Sequence, residues 1–169
     1  MPRRSSLTTL AALLLASSAA FAAAPAAVAA VAQPQARPAA QLSAAHLRGV
    51  HPELNGLRVT GINGGKVYLI LDGKRRWIPN PATYDQLFRG WDGIRYAVDV
   101  EGITDGGQLS DGAFLAKAPD GPQVYLVTNG QKRWITSPAA MDKYYFDWRK
   151  IVSVSSVALR GFPTGSPIS

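Results

Sequence analysis

Residues 67–78 of this chain, VYLILDGKRRWI, recur at residues 124–135 as VYLVTNGQKRWI. The similarity continues beyond this motif, because Pro81 and Trp91 match Pro138 and Trp148 at the same displacement of 57 positions. A duplicated segment of this length predicts two copies of one supersecondary structure. We therefore divide the folded region into repeat one, residues 54–110, and repeat two, residues 111–169.

Each copy contains a two-residue turn signal between two strand-like runs. Asp72-Gly73 and Asn129-Gly130 favour a β-hairpin with a type I′ turn, because these residues tolerate positive φ. A turn of this type determines which residues face each other across the two strands. The predicted cross-strand pairs in repeat one are Leu71 with Lys74, Ile70 with Arg75, Leu69 with Arg76, Tyr68 with Trp77 and Val67 with Ile78.

The register also separates the two faces of each hairpin, because alternate pairs share a face. One face of the first hairpin carries the Tyr68–Trp77 pair. The opposite face carries Arg76 among Val, Leu and Ile side chains. The equivalent positions in repeat two are Tyr125, Trp134 and Arg133.

The two arginines need an explanation, since their face is otherwise apolar. A side chain in this position either extends to the edge of the sheet or pairs with a carboxylate. We expect a structural ion pair for Arg76 and Arg133, with Asp85 or Asp142 of the same repeat as the partner.

A short helix is predicted after each hairpin. Asn80-Pro81 and Ser137-Pro138 each place an N-cap residue before a proline, which is typical of a helix start. We predict helices over residues 82–88 and 139–145, and extended segments over 57–60, 94–100, 113–117 and 151–157. The fold class is α+β, with two pseudo-symmetric β-hairpin/short-helix repeats packed into one small domain.

The N-terminal region has the composition of an export signal. Arg3 and Arg4 precede a short apolar run and an Ala20-Phe21-Ala22 cleavage pattern, which predicts a signal peptide over residues 1–23. The apolar run is shorter than the roughly 20 residues that span a bilayer. Export through either the general or the twin-arginine route places the mature chain in the periplasm, at the cell surface or outside the cell.

Residues 24–53 are predicted to be a flexible tether, because they are mostly Ala, Pro, Val and Gln without an amphipathic period. A short helix could form over residues 39–48.

The chain has no cysteine and a net charge of +7, which falls to about +5 without Arg3 and Arg4. This charge favours anionic envelope polymers or lipid head groups, or serves solubility alone. Nucleic acid is not expected as a partner, since no groove-reading helix is apparent and the chain is exported.

The sequence contains no recognisable catalytic constellation. It lacks a Gly-x-Ser-x-Gly elbow, a phosphate-binding glycine loop and a His-Glu-x-x-His helix. Asp85 and Asp142 occupy equivalent helix positions, where dipole or capping roles outweigh paired glycosidase carboxylates. His46 and His51 lie outside a carboxylate cluster, so no metal is predicted, and no cofactor either. We predict that the protein is not an enzyme.

The best candidate for ligand binding is the duplicated aromatic and basic set. Flat aromatic faces bind pyranose rings, and guanidinium groups bind carboxylates or phosphates. The candidate ligand-binding residues are Tyr68, Arg76, Trp77, Tyr125, Arg133 and Trp134. The competing interpretation makes the Tyr–Trp pairs structural, since such pairs stabilise small sheets. Trp91 and Trp148 are predicted to be core residues.

The motif also resembles a known pattern. Tyr-Leu-(Val/Ile)-x-(Asn/Asp)-Gly-x-(Lys/Arg)-Arg-Trp-Ile-x-(Asn/Ser)-Pro is similar to tandem repeats of uncharacterised exported bacterial proteins, some of which are considered surface or secreted antigens. The resemblance covers residues 67–163 and implies no active site.

The sequence is therefore compatible with three functions. The first is a non-catalytic exported binding module of the bacterial envelope or extracellular space, with a glycan or anionic polymer as ligand. The second is a purely structural or protein-interaction domain with core aromatics, whose partner is another surface protein. The third is an envelope hydrolase.

Overall fold

A computed structural model describes residues 48–169, which contain short strands and helices. The strands are β1 (Arg58–Gly61), β2 (Val67–Leu71), β3 (Lys74–Trp77), β4 (Arg95–Ala97), β5 (Asp105–Gln108), β6 (Phe114–Lys117), β7 (Val124–Thr128), β8 (Gln131–Ile135) and β9 (Ile151–Ser153). The α-helices are α1 (Pro81–Leu87), α2 (Pro138–Lys143) and α3 (Ser156–Gly161). The predicted signal peptide, most of the tether, nearly all of the helix considered over 39–48, and His46 lie outside the described residues.

The two hairpins have the predicted turns and register. Asp72 and Gly73 have φ values of 57° and 70°, and Asn129 and Gly130 have 52° and 70°, as a type I′ turn requires. β2 pairs with β3 so that Tyr68 faces Trp77. The same pairing joins β7 to β8, where Tyr125 faces Trp134. The local turn chemistry was sufficient to predict both registers.

Each hairpin is the centre of its own sheet. The first sheet has the order β4-β1-β2-β3-β5, in which β1 is antiparallel to β2 while β4 and β5 run parallel to β1 and β3. The second sheet has the order β8-β7-β6-β9, in which β9 runs parallel to β6. Thr164 and Ile168 add isolated parallel bridges to β8. The chain is therefore a mixed α+β protein with two β-sheets and few helices.

A single buried cluster joins the inner faces of the two sheets. The first sheet contributes Leu69 and Leu71, and the second contributes Leu115 and Leu126, all 0–1% exposed. The helices and the segments that follow them add Tyr84, Leu87, Phe88, Met141, Tyr144 and Phe146. Because an isolated hairpin is only marginally stable, this common cluster gives both sheets a core that neither has alone.

The opposite face of each sheet is covered by a smaller apolar cluster. Tyr68 and Ile70 pack with Val59 behind the first sheet, and Trp77 lies against them. Behind the second sheet, a cluster built on Ala116, Val127 and Leu159 is contacted by Tyr125. The face that carries the arginines is thus the face toward the main core, and the Tyr–Trp face points away from it.

Both predicted helix starts are confirmed. The Asn80 side chain accepts a hydrogen bond from the Thr83 amide at 2.8 Å, and the Ser137 hydroxyl accepts one from the Ala140 amide at 3.1 Å. Helix α1 ends at Leu87, one residue before the predicted end, and α2 ends at Lys143, two residues before it. The side-chain caps explain why the beginnings were easier to predict than the ends.

The predicted extended segments after the helices are mostly wrong. Strand β4 stops at Ala97, and Asp99 then caps a 3₁₀ helix over Val100–Gly102. Strand β9 stops at Ser153, and the Ser155 hydroxyl caps α3 through the Ala158 amide at 3.2 Å. In both places the side chain of Asp99 or Ser155 caps a short helix, so the backbone turns there instead of continuing the strand.

The two sheets are also joined by backbone contacts between the segments that follow α1 and α2. Phe88 and Phe146 form an antiparallel bridge, and the Asp147 amide donates to the Leu87 carbonyl at 2.9 Å. These bonds satisfy polar groups that would otherwise be buried without partners. They hold the two aromatic rings in the centre of the main core, with centroids 5.6 Å apart.

Arg58 is buried beside this junction. Its guanidinium lies 3.9 Å from the centre of the Tyr145 ring and donates to the backbone carbonyls of Gly90 and Asp92 at 2.9 and 2.8 Å. It also donates to the Tyr84 hydroxyl. Carbonyl oxygens and aromatic faces therefore compensate a cation that is only 4% exposed.

We expect Phe146→Ala to destabilise the whole described region by about 3–5 kcal/mol, the usual cost of emptying an aromatic site in a core. Since both sheets share that core, urea denaturation followed by far-ultraviolet circular dichroism and by tryptophan fluorescence should give one coincident transition. Val152→Ala, at a position 49% exposed, is the control and should cost less than about 0.5 kcal/mol. Two separated transitions in the unmodified protein would contradict a shared core.

Candidate functional site: paired tryptophan grooves

Two surface grooves lie at equivalent places in the two halves of the described region. Every residue that lines the first groove has a counterpart 57 positions later that lines the second. The central pairs are Val67 and Val124, Trp77 and Trp134, Ile78 and Ile135, Pro81 and Pro138, Tyr84 and Met141, and Trp91 and Trp148. We call these the tryptophan grooves.

The first tryptophan groove has a volume of about 500 Å³ and lies between the end of β3 and the loop after α1. Trp77 forms one wall and is half-buried, with the Lys66 Nζ 4.9 Å from its ring centre. Trp91 forms the other wall and is 47% exposed. One face of its indole stacks on Tyr84 at 3.9 Å, and its Nε1 donates to Asp85 at 2.8 Å. The groove therefore presents a fixed indole face to solvent.

The second tryptophan groove has a volume of about 410 Å³. Its walls are Trp134 and Trp148, which are 42% and 44% exposed. Gln123 occupies the position of Lys66, so this groove lacks the cation of the first.

Trp148 is positioned by the residue before it. The Asp147 carboxylate accepts hydrogen bonds from the Arg149 amide at 2.9 Å and from the Arg149 guanidinium. The bond from Arg149 lowers the pKa of Asp147 to about 2. A carboxylate held in the charged form caps the 3₁₀ helix Trp148–Lys150, which begins at this tryptophan.

The prediction that Trp91 and Trp148 are core residues is wrong. Each lies after a short helix that ends before it, so only one face of Trp91 is covered and both indoles reach the surface. All four tryptophans of the chain line the two grooves. The sequence signal that could have located the grooves was the matched spacing of Trp77 to Trp91 and of Trp134 to Trp148.

The two tyrosines of the predicted site do not line the grooves. Tyr68 is 4% exposed, and its hydroxyl donates to Glu101 at 3.0 Å. Burial, followed by the hydrogen bond to Glu101, raises the pKa of Tyr68. Tyr125 is half-buried against the outer cluster of the second sheet. Of the six predicted ligand-binding residues, the structure brings only Trp77 and Trp134 into the grooves.

Arg76 and Arg133 lie instead at a small polar pocket between the two hairpin turns. Arg133 donates to both carboxylate oxygens of Asp72 at 2.7 Å. Arg76 donates to the Gly106 carbonyl at 2.6 Å and contacts Asp72 at 3.4 Å. We call this site, about 160 Å³ in volume, the turn pocket; it is also lined by Leu71, Thr128, Asn129, Gln131 and Ser166.

The predicted partners of the arginines, Asp85 and Asp142, are wrong. Asp85 accepts the Trp91 indole N–H, and Asp142 pairs with Arg89. Both acids lie on helices beyond the far end of their hairpin, whereas the arginines lie close to the turns. The carboxylate that Arg133 reaches belongs to the turn of the other hairpin, a partner that no spacing within one repeat could indicate.

Asp72 is held in its charged form. Burial alone would raise the pKa of its carboxyl, but the hydrogen bond and charge of Arg133, with the charge of Arg76, outweigh burial and lower that pKa below its usual 3.8. Since Arg133 is itself only 6% exposed, the pair lies in a partly desolvated position. It joins the turn of the first sheet to the inner face of the second.

Other chemistry in the described residues is sparse. The His51 Nδ1 lies 2.7 Å from a Glu53 carboxylate oxygen. Between residues 48 and 169, no three His, Cys, Asp or Glu side chains come together as metal ligands would. None of the helices in that range is long and apolar enough to cross a membrane.

Comparison with known proteins adds no relative: no protein-family model matches the chain, and neither curated proteins nor solved structures yield a significant match.

We expect Asp72→Asn to lower the free energy of unfolding by about 1–2 kcal/mol at pH 7, after allowance for its 40% exposure, since it leaves Arg133 without its carboxylate. The turn itself should survive, because Asn-Gly occupies the same place in the second hairpin. The folded-state pKa of Asp72 is the lower one, so its contribution is complete above the unfolded pKa and is lost as pH falls through the folded value.

The difference in melting temperature between the two proteins should therefore shrink as pH falls from about 5 toward 2. Asp105→Asn serves as a control, because that carboxylate is 64% exposed and 3.7 Å from Arg75. A pH-independent difference between the Asp72→Asn variant and the original protein would contradict the ion-pair explanation.

Proposed function

We propose that this protein is a non-catalytic, exported binding module of the bacterial envelope or extracellular space, and that its two tryptophan grooves bind a glycan. The observation that carries the proposal is the repetition of one groove, with two tryptophans, at positions 57 apart. A protein with the main core already filled has no structural need for three indoles that are 42–47% exposed. Their burial against a ligand would stabilise a complex.

The chemistry of the walls favours sugar rings over other flat ligands. The apolar C–H face of a pyranose stacks on an aromatic ring, while its hydroxyls point toward the polar rim. In the first groove that rim includes Asn80 and Lys66, and in the second it includes Ser137 and Gln123. The Trp91 indole N–H is already bonded to Asp85, so that residue offers its face rather than a donor.

Two equivalent grooves on one chain suit a repetitive ligand. A polymer that engages both sites gains affinity through effective concentration without any new contact. The predicted export signal over residues 1–23 and the positive charge of the chain are consistent with an envelope polymer, including an anionic one. An envelope glycan is therefore the proposed partner.

We further propose that the two sheets are pseudo-symmetric copies of one hairpin/helix unit. The support comes from the shared strand order around each hairpin, the closely similar φ values of the two turns, the matching helix caps and the matched groove residues. Duplication would then account for both the common core and the pair of binding sites.

A protein-interaction domain is the second candidate. Tyr68 is a core residue of the outer cluster, as this interpretation requires, and prolines line both grooves beside the tryptophans. Aromatic grooves of this kind also receive polyproline II peptides. Binding of proline-rich peptides, with no binding of glycans, would replace the glycan proposal with this one.

The test is a glycan array followed by titration of soluble oligosaccharides into the mature protein. Because all four tryptophans line the grooves, binding should change the intrinsic fluorescence directly. The double variant Trp134→Ala/Trp148→Ala should lower the stoichiometry for a short oligosaccharide from two to one. Affinity for a long polymer should fall by about tenfold or more, because avidity is lost.

Tyr96→Ala is the matched control, since this aromatic is 48% exposed but lines neither groove. Circular dichroism should verify that every variant is folded. The glycan proposal fails if no glycan binds, or if the double tryptophan variant binds short and long ligands as the original protein does.

A further inference from the structure

The two hairpin turns are chemically unequal where they meet. The first turn begins with Asp72 and the second with Asn129, at equivalent positions. Arg133 extends from the second hairpin to the carboxylate of the first turn. The equivalent Arg76 would require a carboxylate at position 129, where the chain has a neutral amide. An ion pair between positions 76 and 129, which would correspond to the Arg133–Asp72 pair, is therefore missing.

Arg76 is left with unused hydrogen-bonding capacity. Both oxygens of Asp72 are taken by Arg133 at 2.7 Å, and the contact from Arg76 to Asp72 is long, at 3.4 Å. The Arg76 Nε is buried and has no hydrogen-bond partner among the described residues. A guanidinium has five N–H donors, and its pair of parallel donors fits a carboxylate.

The turn pocket is polar and carries an unbalanced positive charge. Two guanidinium groups face one carboxylate there. The remaining polar residues that line the pocket are Thr128, Asn129, Gln131 and Ser166. Its volume of about 160 Å³ is below the roughly 300–1,000 Å³ of pockets for drug-sized ligands, so it suits a small charged group such as a carboxylate.

We infer that the turn pocket is a carboxylate-binding site in which the ligand pairs with Arg76 and takes the place of the acid that position 129 lacks. The carboxylate is that of a small organic acid or of a sugar acid, which share this chemistry. The site shares no lining residue with either tryptophan groove, so the inference is independent of the proposed glycan function.

The first experiment is an NMR titration of the full-length protein with sodium acetate at pH 7 and constant ionic strength, observing the arginine Nε–Hε signals. The Arg76 signal should shift and saturate at roughly millimolar to tens of millimolar acetate, as expected for a ligand held by a few charge-assisted hydrogen bonds. Acetamide at the same concentrations should produce no saturable shift. A linear response to acetate, or an equal response to acetamide, would overturn the inference.

Two variants connect the response to the pocket. Asn129→Asp should abolish acetate binding, because its own carboxylate occupies the site, and Asp-Gly already forms the equivalent turn in the first hairpin. Arg76→Gln should abolish binding by removing the cation. Asn63→Asp makes the same change of charge at an exposed residue outside the turn pocket and should bind acetate unchanged.

Circular dichroism and the remaining amide spectrum verify that these variants are folded. Unaltered acetate binding in the folded Asn129→Asp protein would refute the assigned position of the ligand. A parallel titration with glucuronate distinguishes a sugar acid from a small organic acid as the source of the carboxylate. Binding at least fivefold tighter than acetate identifies a sugar-acid site, and equal binding identifies a site for small carboxylates.

Discussion

The structure depends first on two turns of two residues each. Asp72-Gly73 and Asn129-Gly130 adopt positive φ at both central positions, and this geometry leaves one register for each hairpin. A slip by one residue would exchange the two faces. The leucines would then leave the main core and the Tyr–Trp pairs would enter it. The inner core, the outer clusters and the grooves all follow from those turns.

The second constraint is the size of each sheet. Neither hairpin with its short helix buries enough apolar surface alone, so the inner faces of both sheets meet in one cluster. The Tyr–Trp face of each hairpin points away from that cluster, so Trp77 and Trp134 lie outside it. Each groove lies where core residues, such as Ile78 or Met141, meet indoles that the common core does not cover.

Much of the local structure was predictable, and the failures have a common cause. Turn residues and N-caps determine their own neighbourhood, so the hairpin register and the starts of α1 and α2 were predicted correctly. The predictions were wrong for the exposure of Trp91 and Trp148 and for the partners of Arg76 and Arg133. Their surroundings are built by residues distant in sequence, such as Asp72 for Arg133. Of the predicted binding residues, Trp77 and Trp134 do line grooves, but the tyrosines and arginines serve other sites.

The amino-acid pattern alone established the duplication of the motif, the two hairpins and the residues that face each other across them, because φ preferences and alternation act over a few residues. It could not establish which face of a hairpin meets the main core, since both faces carry large apolar side chains. Packing of one sheet against the other resolved that choice, exposed the indoles of Trp91 and Trp148, and brought Arg133 to the turn of the opposite hairpin. Each copy of the repeated motif thus contributes one tryptophan to a groove, and the second tryptophan of that groove lies beside it only in the folded chain.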